Sequence, residues 1–268
     1  MQRIRLLLAE PQCPCSASLP TSRRDLPLLP PDTKKVWDYL KDQPALSGFV
    51  LIGGSALALQ IHHRISEDLD LAYPELVLPR ARLDVLLRLA EASGFQFQRL
   101  DNESALLEFL NAGMELHDYQ QNFLVNAAVK VSFFTPDAPL CRLLSKTAEA
   151  GVRVATLAEL FKSKSLVSAQ RSKTRDWLDL YVLLREHGFS MRDYQAAFQE
   201  AGAEALLDIS LSRLSSGLPQ KDDEGYAHLL SNPPTLAQIT KFFQVERDRY
   251  EVETALRLKL NLGRGDQS

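Results

Sequence analysis

The stretch Phe49-Val-Leu-Ile52 is continuously apolar, breaks into Gly53-Gly54-Ser55, and is followed within a short helix's length by Arg64-Ile-Ser-Glu-Asp-Leu-Asp-Leu71. This pattern predicts a buried strand, a tight turn, a helix over Ser55–His62 and a second strand over Leu69–Ala72. On a strand the side chains alternate, so Asp68 and Asp70 share one face while Leu69 and Leu71 share the other. Paired carboxylates are hard oxygen ligands, suited to Mg²⁺ bound together with substrate phosphates. Gly53 and Gly54 allow the backbone to come close to a ligand, and the N–H groups of the next helical turn form an anion site. Ser55 can cap that helix, offer a hydroxyl to a phosphate, or do both. Arg64 can fork onto phosphate oxygens, and Ser66 lies two residues before Asp68. Together these residues suit a nucleoside triphosphate and its magnesium. No lysine follows the glycines, so the turn is not a Walker A loop.

Three observations organise the rest of the chain. Residues 1–30 are proline-rich with little apolar periodicity and read as a flexible N-terminal arm. Residues 31–140 read as an α/β domain: a helix from Asp32 to Asp42, capped by Asp32 or Thr33, then the strand–helix–strand above and a helix over Arg80–Ala92 that Pro79 opens. A meander is expected next, with strands at Phe95–Leu100, Ala105–Leu110, Met114–Tyr119 and Ala128–Phe134, and a hairpin loop at Asn111–Gly113. Residues 141–268 read as a helical domain, with helices over about 156–171, 175–187, 190–202, 204–216 and 235–261. The active-site cleft is expected between the two halves.

The helical half carries a second charged cluster. Placed on one helix, Lys164, Arg171 and Arg175 fall within roughly 20° of a single line, a cationic stripe for phosphate. Asp176 and Asp179 are neighbours on a helical face, with Trp177, Leu180, Leu183 and Leu184 on the buried side. The adjacent His62 and His63 read as surface or satisfied side chains rather than ligands.

Composition narrows the class. Hydrophobic residues make up 45% of the 268 and charged residues 24%, in keeping with a globular chain. No apolar run approaches the ~20 residues that span a bilayer, and the apolar core after the basic start is too short for a secretory signal, so a cytoplasmic protein without a membrane partner is expected. Cys13, Cys15 and the distant Cys141 cannot all pair, a metal site on Cys13 and Cys15 lacks further ligands nearby, and the three read as reduced thiols. A net charge of −3 gives no general support for nucleic-acid binding, although the stripe supplies a local basic patch.

Gly53-Gly54-Ser55, Arg64-x-Ser66-x-Asp68-Leu69-Asp70, and Lys164 through Arg171 to Arg175-Asp176-x-x-Asp179 together resemble the AbiEii/AbiGii toxin family of nucleotidyltransferases, which includes the MenT-type toxins. The resemblance implies a polymerase-β-like nucleotidyltransferase mixed sheet with a C-terminal helical bundle. It implies an Mg²⁺-dependent toxin of a toxin–antitoxin pair, sometimes acting in phage defence. Such a toxin moves NMP from a nucleoside triphosphate to RNA, with tRNA modification among the family's activities, and has a cognate antitoxin as partner. Gly54 and Ser55 match its nucleotide loop, Asp68 and Asp70 its metal-binding acids, Ser66 a modifiable active-site serine, Lys164 its triphosphate lysine and Asp176 its second-block aspartate. A third acid usual in polymerase-β-like enzymes is replaced here by Ser132, in Val129-Lys-Val-Ser-Phe-Phe134. Asp176 or Asp179 takes that role, the alignment is displaced, or catalysis is weakened. A small-molecule acceptor, or nucleotide binding without turnover, are the competing readings.

Overall fold

The computed structural model describes residues 29–146 and 150–265. Residues 1–28 of the expected N-terminal arm, with Cys13 and Cys15, lie outside the described residues, whereas Leu29 at its end is buried in the core. Helix α1 (Pro31–Leu40) begins with Pro31 in its first turn; Pro30, not Asp32 or Thr33, holds the cap position. Thr33 is buried and donates instead to the Glu67 carbonyl at 2.9 Å, which ties α1 to the segment ahead of the acids.

Strand β1 (Val50–Ile52) is wholly buried and runs straight into α2 (Gly53–Ile61). His62 in the left-handed region ends α2, and β2 (Leu69–Ala72) follows. Helix α3 (Arg80–Ala92) buries Leu83, Leu86 and Ala90 and stops at Ser93 and Gly94, the latter at φ +84°.

The meander differs from its sequence expectation. After β3 (Phe97–Arg99), residues 105–110 lie in a helix, α4 (Glu103–Asn111), because the Asn102 side chain accepts from the Ala105 N–H at 3.1 Å and caps it. Asn111–Gly113 is the end of that helix rather than a hairpin loop, and within Met114–Tyr119 only Leu116–Asp118 is regular, as a 3-10 turn. The missing strand is β4 (Gln120–Val125), joined to β5 (Val129–Phe134) by a turn with Asn126 and Ala127 both at positive φ.

Helix α5 (Ala138–Leu143) and the short β6 (Arg153–Val154) lead into the helices α6 (Leu157–Gln170), α7 (Thr174–Glu186), α8 (Met191–Ala201), α9 (Leu207–Ser216) and α10 (Leu236–Gly265). These agree with the expected helical half to within a few residues. The protein is thus a mixed α/β fold whose six-stranded sheet, among the described residues, runs β3-β4-β5-β2-β1-β6. The β2–β5 and β1–β6 pairs are parallel and the other pairs antiparallel.

One sheet face carries Leu69, Leu71, Phe123, Val131 and Phe133, all buried, with Phe133 edge-on to Phe49 and Phe123. The opposite face carries Asp70, Ser132, Lys130 and Asn122. Helix α6 packs on α2, α7, α8 and α9, so it is enclosed on nearly every side. Ser163, Ser165 and Ser168 keep it narrow, and their hydroxyls donate to its own carbonyls.

Glu159 anchors the start of α6. Its carboxylate accepts from Arg153 at 2.8 and 3.0 Å, from the Ser145 N–H at 2.7 Å and from Thr156 at 2.7 and 2.9 Å. Burial alone would raise this carboxyl, but those donors outweigh it and hold it at about 2, down from 4.5. A depressed carboxylate stabilises the fold above its unfolded value and loses that contribution as pH falls toward its folded value. Glu159→Gln should therefore cost about 2 kcal/mol at neutral pH. In urea unfolding, the gap between variant and wild type should close as pH falls from about 4.5 toward 2.

Candidate active site

The helix start and the acids meet because two residues lack side chains. Gly53 sits at φ +75°, and a Cβ there would lie 2.6 Å from Asp70 Oδ2. A Cβ on Gly54 would lie 2.7 Å from both Arg64 Nη2 and Ser66 Oγ. Glycine is thus required twice, once for the backbone turn and once for close approach. Ser55 does not cap α2. It is buried, its hydroxyl donates to the Asp68 carbonyl, and its Oγ lies in hydrogen-bond contact with Ser66 Oγ at 3.1 Å, which ties the segment carrying the acids to the helix.

Asp70 lies within β2, and Asp68 lies just before the first paired residue, Leu69. Both are half-buried. Burial, then the neighbouring Asp68 charge, push the Asp70 carboxyl up, while Lys164, Lys130 and Arg171 pull it down. A carboxyl raised by burial and by a neighbouring carboxylate marks a place where a cation is stabilising. Among the described residues no group of three His, Cys, Asp or Glu is placed to hold a metal ion. The pair nonetheless fits Mg²⁺, which is commonly held by one or two carboxylates with substrate phosphates and water completing its shell.

Ser132 pairs in register with Asp70 on the adjacent parallel strand, so the serine stands where the third acid was sought. Asn122 pairs with Ser132 one strand further out. A cleft of about 440 Å³ opens over this row, lined by Asp70, Ser132, Asn122, Lys130, Phe109 and Tyr119 among others.

The second cluster is buried and internally paired. Lys164 Nζ lies 2.6 Å from Asp176 Oδ1 and 2.7 Å from Asp179 Oδ2. Arg64 grips Asp179 through Nε at 2.7 Å and Nη2 at 3.0 Å, and His63 Nε2 lies 2.7 Å from the same carboxylate. Arg171 grips Asp176 through Nε at 2.7 Å and Nη2 at 3.3 Å. Burial opposes charge on Asp179, but Arg64, Lys164 and His63 hold it well below the usual carboxylate range. Asp176 is lowered by Lys164 and Arg171 against the same opposition. Lys164 is raised by the two aspartates despite its burial, and His63 is lowered chiefly by burial.

Three sequence expectations change here. Lys164, Arg171 and Arg175 do not form a stripe, because α6 ends at Gln170 and Arg171 is extended before α7 begins at Thr174. That break is held by Gln220, which accepts from the Ser172 N–H at 3.0 Å, and by Asp223, which accepts from the Thr174 N–H at 3.0 Å. Arg175 turns to Glu224. Arg64 does not present a free fork, since Asp179 occupies it. Asp176 and Asp179 are both saturated by cations, so neither stands free as the third acid. His63, read as surface or satisfied, is satisfied on one nitrogen and belongs to this cluster; only its position beside Arg64 hinted at that.

A family model described as the nucleotidyl transferase AbiEii toxin of type IV toxin–antitoxin systems matches residues 36–245. The chain belongs to this family of nucleotidyltransferase toxins. An uncharacterized protein of Aquifex aeolicus is 25% identical over 148 residues, 55% of this chain and 63% of that protein, so the match spans less than two thirds of the relative's length. A provisionally assigned nucleotidyltransferase structure from H. pylori aligns over 82% of this chain and 95% of that one, at 18% identity and a TM-score of 0.46. The Megavirus polyadenylate synthase aligns over 58% of this chain and 32% of its own, at 14% identity and a TM-score of 0.40.

Removing the central carboxylate tests the cluster. Asp179→Asn leaves Arg64 and Lys164 buried with one fewer negative charge, and should cost about 3–5 kcal/mol in urea unfolding. Gly53→Ala adds a Cβ at positive φ against Asp70 and should cost about 1–2 kcal/mol.

Proposed function

We propose that this chain is an Mg²⁺-dependent toxin that transfers NMP from a nucleoside triphosphate to a hydroxyl of an RNA acceptor, releasing pyrophosphate, with tRNA the first acceptor to test. The single observation that carries this reading is the acid pair, Asp68 and Asp70, held against the glycine-started helix α2 in a chain of the AbiEii family. In this reading Asp68 and Asp70 hold Mg²⁺, which when bound neutralises triphosphate charge and polarises the phosphoryl oxygens. The free N–H groups at the start of α2 receive phosphate oxygens, Gly53 and Gly54 let them approach, and Ser55 and Ser66 fix the acid-bearing segment.

Arg171 is the cation with the best claim on substrate, since its side chain remains 48% exposed while it pairs with Asp176. Lys164 adds buried positive charge, and Asp176 positions Lys164 and Arg171 rather than meeting the substrate. Three cations, Arg64, Lys164 and Arg171, face two carboxylates, Asp176 and Asp179, and the surplus charge favours a polyanion. The sheet-bearing part to residue 140 supplies the acid pair and Arg64, and the helical part from 141 supplies Lys164 and Arg171. The type IV family points to an antitoxin partner, encoded beside this chain, and to a cytoplasmic site of action where triphosphates and RNA occur. No helix among the described residues is long and apolar enough to cross a membrane.

A second reading, nucleotide binding without turnover, is favoured by one observation: Ser132 stands beside Asp70 where an acid was sought. Labelled triphosphates, Mg²⁺ and total RNA separate the two. Label should pass into acid-insoluble RNA, and Asp68→Ala or Asp70→Ala should reduce that transfer at least about 10²-fold. If wild type and both variants leave all label soluble while triphosphate still binds, the second reading stands. Mg²⁺ affinity should also weaken on acidification beginning above pH 3.8, because the raised Asp70 carboxyl takes up a proton that competes with the cation.

A further inference from the structure

The cleft on the open sheet face is not used by the phosphate chemistry above, and its lining is of a different kind. Asp70 occupies the middle of the sheet order, with β1 and the α2 start on one side and β5 and β4 on the other. The cleft covers the β5–β4 side, so it extends the site away from the helix start. One wall is aromatic: the Phe109 and Tyr119 rings lie 5.5 Å apart at 47° and form a continuous apolar surface. Helix α4, which supplies Phe109, has no fully buried residue, so this ring is not held there by a core of its own.

The floor is polar. It consists of the register row Asp70, Ser132 and Asn122, with Lys130 beside it. Within that row Asn122 Oδ1 is shielded from water yet has no hydrogen-bond partner. An amide oxygen without a partner at the floor of a cleft is costly unless something arrives to donate to it. A planar group that stacks on an aromatic wall and donates from its edge, attached to a phosphorylated sugar that reaches the acid pair, meets all three features at once.

We propose that this cleft is a nucleoside pocket: a nucleobase packs on Phe109 and Tyr119, and its edge or its ribose hydroxyl donates to Asn122. The proposal rests on the nucleotidyl-transfer reading and adds the residues that hold the nucleoside. The same chemistry is offered by the donor triphosphate and by the terminal nucleotide of the acceptor, and the test separates these sources.

Binding is measured with the full chain by calorimetry, without turnover, using each nucleoside triphosphate with Mg²⁺, inorganic tripolyphosphate with Mg²⁺, and a short single-stranded RNA. The variants are Phe109→Ala and Asn122→Leu, with thermal unfolding to confirm that each remains folded. A donor pocket weakens nucleoside triphosphate binding about tenfold or more in both variants and leaves tripolyphosphate binding unchanged. An acceptor pocket leaves both of those unchanged and weakens RNA binding by a similar factor. If folded variants bind all three probes as wild type does, the proposal is overturned, whether or not the wild type transfers nucleotide. If the variants lose binding but no acceptor is ever labelled, the pocket stands and the transfer reading fails.

Discussion

Asp179 is a fully buried carboxylate that three side chains from two distant parts of the chain converge upon: His63 and Arg64 from the segment between α2 and β2, and Lys164 from α6. A charge so placed is disfavoured unless its partners satisfy it in a fixed arrangement. Buried ion pairs contribute little net stability compared with well-packed apolar groups, but they tolerate few alternative geometries. The consequence here is positional. The segment carrying Arg64, Ser66 and Asp68 cannot drift from the α6–α7 pair without stranding charge in the interior. Lys164 and Asp176 are fixed in the same network, so acids borne by the sheet and cations borne by the helices hold a defined separation.

The glycines act at the other end of the same segment. Arg64 is pulled one way by Asp179 and lies against Gly54 on its other side, where a Cβ would meet its Nη2. Ser55 binds the Asp68 backbone from within α2, and Thr33 of α1 binds the Glu67 carbonyl. An irregular stretch of a few residues is thereby fixed by three different elements, α1, α2 and α7. That explains how Asp68, which precedes any strand pairing, can still be held in the field of Asp70.

Much of this was legible in the sequence where local chemistry decides the outcome. The apolar run before Gly53 and the alternation through Asp70 specify β1 and β2, and Pro79 with Gly94 brackets α3, because those signals act within a few residues. Other parts were decided at a distance. Ala105-Leu-Leu-Glu-Phe-Leu110 has enough apolar residues for a strand, and only the Asn102 cap and the absence of a strand partner make it α4. Gln120-Gln121-Asn122 looks too polar for a strand, yet β4 needs only one buried face, which Phe123 and Val125 supply. The break between α6 and α7 contains neither Pro nor Gly; it is imposed by Gln220 and Asp223, about fifty residues later. The Arg64–Asp179 pair joins residues 115 apart, and nothing local distinguishes that arginine from one that faces phosphate.

The register also bears on how an acceptor hydroxyl could be activated. The two strands beyond Asp70 present Ser132 and Asn122 at its level, both neutral, and the aspartates of α7 are bound by cations. Among the described residues of this row and of α7, no carboxylate is thus free beside the pair to take the proton as a base. In the proposed reaction the proton of the attacking hydroxyl would pass to water or to a phosphate oxygen. The barrier to that reaction would be lowered by positioning and by charge around the α-phosphorus, which the acid pair with Mg²⁺ bound, the α2 start and Arg171 would supply. In such a site Ser132 would reduce the demand for a cation at Asp70 by one negative charge, while the surplus positive charge of Arg64, Lys164 and Arg171 over Asp176 and Asp179 would attract the triphosphate.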